Sequence, residues 1–171
     1  FGLLTSNMPA LAFPKNFPGL TAQEEISSAR RAVAELKAAG AEVIVALTHV
    51  GIRRASKTES ADDPKIAVGI EGAAAPDFAG ARGAFEKDFI DDRKIASEVP
   101  GIDLIVGGHS HTALSRPERD PANGTLIVQS GSYLTRVGSA VLEFDPVARK
   151  VVRSEGGLRD LWIDELGEEP G

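Results

Sequence analysis

Apolar positions recur along the chain in two rhythms, and the change from one to the other marks the elements. Phe1–Thr5 (FGLLT) is a short apolar run that predicts a strand. Residues 6–20 contain Pro9, Pro14, Pro18 and Gly19, which predicts a connection across the surface. From Thr21 to Ala39 the rhythm becomes helical: Ile26, Ala29, Val33 and Leu36 recur at spacings of 3, 4 and 3 and form one stripe. Thr21 is the expected N-cap, with Glu24 three residues on completing a capping box, and Gly40 is the expected stop. Glu42–Thr48 (EVIVALT) is continuous, β-branched and apolar, which predicts a strand covered on both faces. A helix between two such runs makes a βαβ-like start.

Gly51–Phe89 breaks the pattern. A polar part (RRASKTESADDPK) runs into an Ala/Gly-rich part (GIEGAAAPDFAGARGA), and the stretch reads as a disordered or surface insertion, or else as a lid or partner-docking loop. Ile90–Val99 predicts a short helix with Ile95 and Val99 on one face, and Pro100-Gly101 a turn. Ile102–Val106 (IDLIV) and Thr125–Gln129 (TLIVQ) predict two more buried strands. Val137–Phe144 alternates, with Ala140, Leu142 and Phe144 on one face and Ser139, Val141 and Glu143 on the other. Asp145-Pro146 turns the chain and Lys150–Arg153 returns, as in a hairpin. No internal repeat is present.

With 171 residues and 42% hydrophobic content, one globular domain of ordinary composition is the first expectation. No apolar run approaches the roughly 18 residues of a membrane-spanning helix. The absence of Cys excludes disulfides, thiolate catalysis and thiolate metal sites. The net charge of −6 argues against a nucleic-acid binder. It is unevenly spread: residues 155–171 carry six acids and one Arg, whereas residues 1–154 are near neutral. The division expected is therefore a folded part, 1–154, and an acidic tail or linker, 155–171, which reads as a loosely attached terminus or, through Leu161, Trp162 and Leu166, as a segment that docks in part. The first residue is Phe1, and a strand-like run starts at once, which fits a fragment with further chain upstream.

The candidate chemistry lies in three histidines, all directly after predicted strands. His49 follows VIVALT, and His109 and His111 follow IDLIVGG. Ligand sites in α/β sheets form at the carboxyl ends of strands, so two parallel strands would bring all three imidazoles to one edge. Gly107-Gly108 permits a sharp turn that aims the pair into one cleft. Neutral imidazole is the commonest protein ligand for transition metals. Three His plus water would complete one tetrahedral Zn²⁺; a two-metal site would need a bridging carboxylate as well. Asp62 and Asp63 are the nearest acidic candidates and read as solvated loop residues. A binding module with one ion, a metal-free interaction domain and an enzyme fragment with part of a dinuclear site all remain open at this point.

Two segments carry a resemblance. Residues 33–51 (VAELKAAGAEVIVALTHVG) and 102–112 (IDLIVGGHSHT) resemble the second half of a calcineurin-like metallophosphoesterase domain. The likeness is nearest the 5′-nucleotidase branch, with its UDP-sugar hydrolases and 2′,3′-cyclic phosphodiesterases. Residues 125–144 (TLIVQSGSYLTRVGSAVLEF) resemble the strand, Gly-containing loop and strand that follow GGHSHT in that branch. The resemblance implies an α/β fold, part of a two-layer β-sandwich flanked by helices. It implies two divalent metal ions, of Zn, Mn, Fe or Co. His49, in the T-H-x-G motif, and His109, the first His of G-H-x-H, correspond to ligands of the second metal. His111 corresponds to a ligand of the first. Ser130–Gly138 corresponds to the loop bordering the substrate pocket, where Tyr133 and Arg136 are candidate substrate contacts.

The departures are equally specific. The family's Asp-x-His, Gly-Asp-x-x-Asp and Gly-Asn-His-Asp/Glu motifs lie upstream of the matched region and do not occur in this sequence. The bridging Asp and the catalytic His belong to those motifs, so no catalytic residue is expected within this chain. The implied reaction is hydrolysis of a phosphoester, such as a nucleotide 5′-phosphomonoester, with the isolated chain inactive. The partners implied are a small phosphoester substrate, the upstream segment, and a C-terminal nucleotide-binding domain of the same protein; no nucleic-acid partner is expected. A periplasmic or extracellular location is implied by the resemblance alone.

Overall fold

A five-stranded sheet organises the computed structural model, which describes residues 1–11, 14–52 and 90–161. In chain order its elements are β1 (Gly2–Leu4), α1 (Met8–Leu11), a 3₁₀ turn (Pro14–Asn16), α2 (Glu25–Ala38), β2 (Val45–His49), α3 (Asp92–Glu98), β3 (Leu104–Val106), β4 (Glu118–Arg119), β5 (Leu126–Val128), β6 (Arg136–Asp145) and β7 (Lys150–Asp160). The sheet order is β1-β2-β3-β5-β4. Its first four strands are parallel, and β4 closes one edge antiparallel. The predicted hairpin forms as a separate two-stranded sheet of β6 and β7.

Helix α2 shows how the apolar stripe becomes core. Ile26, Ala29 and Val33 are buried, and Leu36 packs partly buried beside them. Across the sheet, Ala46 stands opposite Ile105, and Ile105 opposite Ile127. All three are buried, and with Ile95, Ala96 and Val99 of the α3 region they form the main cluster. The helix begins later than the expected capping box. Glu24 itself is the N-cap, its carboxylate accepting from the backbone N–H of Ile26 (2.9 Å) and Ser27 (2.7 Å). An acceptor two to three residues before these donors satisfies them better than Thr21, which lies outside the first turn. Gly40 ends the helix at φ 90° as expected, its N–H donating to the Lys37 carbonyl.

Coverage on both faces of β2 is not what the described residues provide. One face carries Ala46 and Thr48, buried under the helices; the other carries Leu47, which is 60% exposed. Leu47 lies in register with Val106, which is 37% exposed, and Val106 lies in register with Val128. This second face is apolar because a parallel sheet is built to be covered twice, yet α2 and α3 pack on the first.

The hairpin is longer than its predicted return strand. Strand β7 runs on to Asp160, so residues 155–160 of the acidic segment are paired with β6 rather than solvated as a tail. Arg119 ties the hairpin to the sheet edge by donating to the Ser154 carbonyl (2.7 Å). The short β4 and the helical turn of α1 were not legible as periodic patterns. The Gly51–Phe89 expectation, beyond Ile52, and most of the tail lie outside the described residues.

Candidate metal centre

The histidines stand where strands β2 and β3 end. His49 is the last residue of β2, and the chain leaves β3 through Gly107-Gly108 into His109-Ser110-His111. The parallel register that pairs Leu47 with Val106 brings the two exits side by side. The His49 and His109 rings meet edge to face, with centroids 5.0 Å apart. The packing needs small residues. A Cβ on Gly108 would lie 3.3 Å from His49 Nδ1, and one on Gly51 would lie 3.4 Å from His109 Cδ2.

His111 points elsewhere. Its ring meets Tyr133, with centroids 5.4 Å apart and an interplanar angle of 69°. Among the described residues no group of three or more His, Asp or Glu is gathered tightly enough to hold a metal ion. The His49 and His109 rings meet each other, and the His111 ring meets Tyr133, which is 83% exposed. Asp62 and Asp63 lie outside the described residues. Arg136 is engaged: its Nε donates to Asp160 Oδ1 at 2.7 Å, and its side chain is only 9% exposed.

The loop backbone is strained. His109 and His111 adopt φ 71° and 56°, the left-handed region that non-glycine residues enter at a cost of about 1–3 kcal/mol each. Tyr133 (59°) and Leu134 (55°) do the same in the facing loop. Hydrogen bonds hold the histidine loop in place. Gln129 Oε1 accepts from Ser110 Oγ (2.9 Å) and from the Thr112 N–H (2.6 Å), while Ser110 Oγ accepts from the Ile52 N–H (3.0 Å). This network was missed at the level of sequence, because Gln129 and Ser110 carry no pattern of their own.

Electrostatics favour ligation at His109. Burial, then the neighbouring His49 and His111, push its pKa below the ordinary 6.5, so the ring stays neutral and offers a lone pair. A second perturbed group lies beneath the loop. Burial pushes the carboxyl of Asp92 up to about 7, with Asp91 adding to the shift and the Thr48 hydroxyl opposing it. Asp92 reads in the sequence as an ordinary acidic helix start; only the packing reveals that it is fully buried.

Comparison with known proteins follows the same lines. No protein-family model matches the chain. The trifunctional nucleotide phosphoesterase YfkN of Bacillus subtilis is 36% identical over 80 residues, which is 46% of this chain and 5% of that protein. The endonuclease YhcR of the same organism is 21% identical over 169 residues, 99% of this chain and 11% of that protein. The chain thus spans a small part of the curated relatives it matches. Among solved structures, the calcineurin-like phosphoesterase YfkN has a TM-score of 0.64 at 21% identity, covering 93% of this chain and 43% of that one. The sulfate thiohydrolase SoxB of Thermus thermophilus has a TM-score of 0.62 at 18% identity, covering 93% and 22%. A Staphylococcus aureus protein assigned as a 5′-nucleotidase has a TM-score of 0.54 at 22% identity, covering 93% and 26%. The fold over 93% of this chain is like that of the calcineurin-like phosphoesterase YfkN, of which it covers 43%.

Proposed function

We propose that this chain supplies part of a divalent-metal site in a phosphoester hydrolase acting on nucleotides or similar small phosphoesters. The observation that carries this reading is the His49–His109 ring pair at the carboxyl ends of two parallel strands. The donor set fits a metal in part: two adjacent imidazoles suit one transition-metal ion, and His111 is turned so that it would serve another. His49 and His109 would then hold the second metal of the family's pair, and His111 would contribute to the first. A bound divalent ion supplies charge that neutralises the phosphoester and acidifies the attacking water.

The chain's own residues supply the rest of the argument. Gly51 and Gly108 let the two rings close on each other, and the Gln129–Ser110 network keeps the loop from relaxing out of its left-handed turns. Tyr133 stands exposed beside His111, where it would contact substrate. Arg136, held by Asp160, would shape that loop, with its guanidinium turned to the ion pair. The remaining ligands, a bridging carboxylate and the catalytic His would come from an upstream segment, and the nucleoside from a separate domain's pocket. Residues 1–160 would belong to the latter half of the catalytic domain, with the periplasmic or extracellular location that the family resemblance implies.

The test is a Zn²⁺ titration of the chain followed by imidazole ¹⁵N shifts. His49 and His109 respond together, and His49→Ala abolishes the response at His109 while His111→Ala leaves it. One tight ion shared equally by all three rings would replace this reading with the single-metal binding module. Nucleotide hydrolysis by residues 1–171 at the rate of a full-length relative would overturn the partial-site reading.

A further inference from the structure

Four buried polar atoms beneath the histidine loop lack a hydrogen-bond partner among the described residues: Thr48 Oγ1, both carboxyl oxygens of Asp92, and Gln129 Nε2. They converge on one spot. A Cβ on Gly107 would collide with Asp92 Oδ2, and Gln129 Nε2 lies 3.1 Å from the same point. The Thr48 hydroxyl faces the Asp92 carboxyl from the buried side of β2. Asp92 is 0% exposed, Gln129 2% and Thr48 7%. Side chains from α3, from β2 and from the end of β5 thus enclose the Gly107 backbone, two residues before His109. Asp92 is fixed from the other side as well, its N–H donating to the Gly51 carbonyl (2.8 Å).

The opposite end of the Gln129 carboxamide holds the loop. The Thr112 N–H requires an acceptor, so the amide oxygen must face the loop and the NH₂ must face Asp92. Ser110 and Thr112, the two residues bonded to that oxygen, alternate with His109 and His111. Left-handed backbone at non-glycine residues persists only where the surroundings over-determine it. Among the described residues the Asp92 carboxyl stands on the far side of Gln129 as an acceptor able to orient its NH₂. Water bridging within this polar cluster would serve the same chain of contacts.

We propose that Asp92 is a positioning residue, which acts through Gln129 to hold His109 and His111 in the left-handed conformations from which their rings reach a metal ion. The second half of that statement rests on the reading of these histidines as ligands. The first half is measurable without metal.

One-bond Cα–Hα couplings of His109 and His111 in the metal-free chain, with their intraresidue HN–Hα NOEs, report whether φ is positive, and a Zn²⁺ titration then reports affinity. In Asp92→Ala the couplings of both residues average, and Zn²⁺ affinity falls roughly tenfold to a hundredfold, the usual effect of losing a ligand's supporting contact. Asp92→Asn keeps an acceptor for Gln129 and restores both couplings and affinity. Gln129→Met cuts the chain of contacts at its next member and reproduces the loss, and it decides the question if Asp92→Ala does not fold. Unchanged couplings in Asp92→Ala or in Gln129→Met overturn the proposal, as does a loss in Asp92→Asn as complete as in Asp92→Ala. A wild-type chain whose imidazoles ignore Zn²⁺ would refute the metal reading, leaving the couplings to judge the positioning role.

Discussion

A carboxyl group buried without an ionic partner should make folding weaken as the solution becomes more alkaline, and Asp92 offers a clean measurement. Its pKa rises from the ordinary 3.8 to about 7, chiefly because burial disfavours the charged form. The unfolded chain therefore loses this proton near pH 4, whereas the folded chain keeps it to about pH 7. Between these values the folded state binds more protons, so stability must fall as pH rises. The displacement spans roughly three powers of ten, each worth about 1.4 kcal/mol, giving a ceiling near 4 kcal/mol. Local relaxation around the ionised group lowers this, and about 2–4 kcal/mol is the expected span. The assay is urea unfolding of wild type and Asp92→Asn between pH 4 and 8. Glu24 and Asp145 have lowered pKa values because backbone N–H groups bond their carboxylates. Their stabilising contribution is present above the ordinary carboxylate range and is lost on acidification. Both proteins share it, so it cancels in the difference. The stability of wild type relative to Asp92→Asn should decline through pH 4–7 and level off above about 8. A difference that stays flat across that window would refute the account of Asp92 as a buried, unpaired acid.

Other expectations follow from single contacts. In the metal-free chain, His109 should titrate below 6.5 by NMR, and His111→Ala should move its midpoint upward by removing a like charge. Gly107→Ala should cost about 1–3 kcal/mol in urea unfolding, since its methyl meets Asp92 and Gln129 in a filled space. Ile95→Ala removes a fully buried side chain from between helix and sheet, and should cost about 2–5 kcal/mol. Leu47→Gln, at a strand residue that is exposed among the described residues, should change stability by no more than about 0.5 kcal/mol while reducing self-association in light scattering.

The elements most legible in the sequence were those with a repeated demand for burial. The stripe of α2 and the runs of β2, β3 and β5 announce themselves because each must present the same chemistry every turn or every residue. Strand β4 has two residues, and its pairing with β5 is an edge contact with no period to read. The N-cap moved from Thr21 to Glu24 because either side chain can serve locally, and the start of the helix is fixed by where Ile26 must pack. At the site, the three histidines were visible from their place after strands. Their division into a pair and a single ring beside Tyr133 was not, since it depends on φ values and register.

By itself the sequence determined the α/β order, the strand-end location of the histidines, and the absence of thiol chemistry. These follow from periodicity and residue type, which local physics fixes. Tertiary structure alone decided that Asp92 is buried rather than solvated, that Gln129 is bonded to the histidine loop, that Arg136 pairs with Asp160, and that, among the described residues, Leu47 is exposed on the second sheet face. Each of these depends on which distant segments meet. A carboxylate, an amide or a valine has the same sequence signature in water as in the core, and only the packing around it sets its charge, its partners and its task.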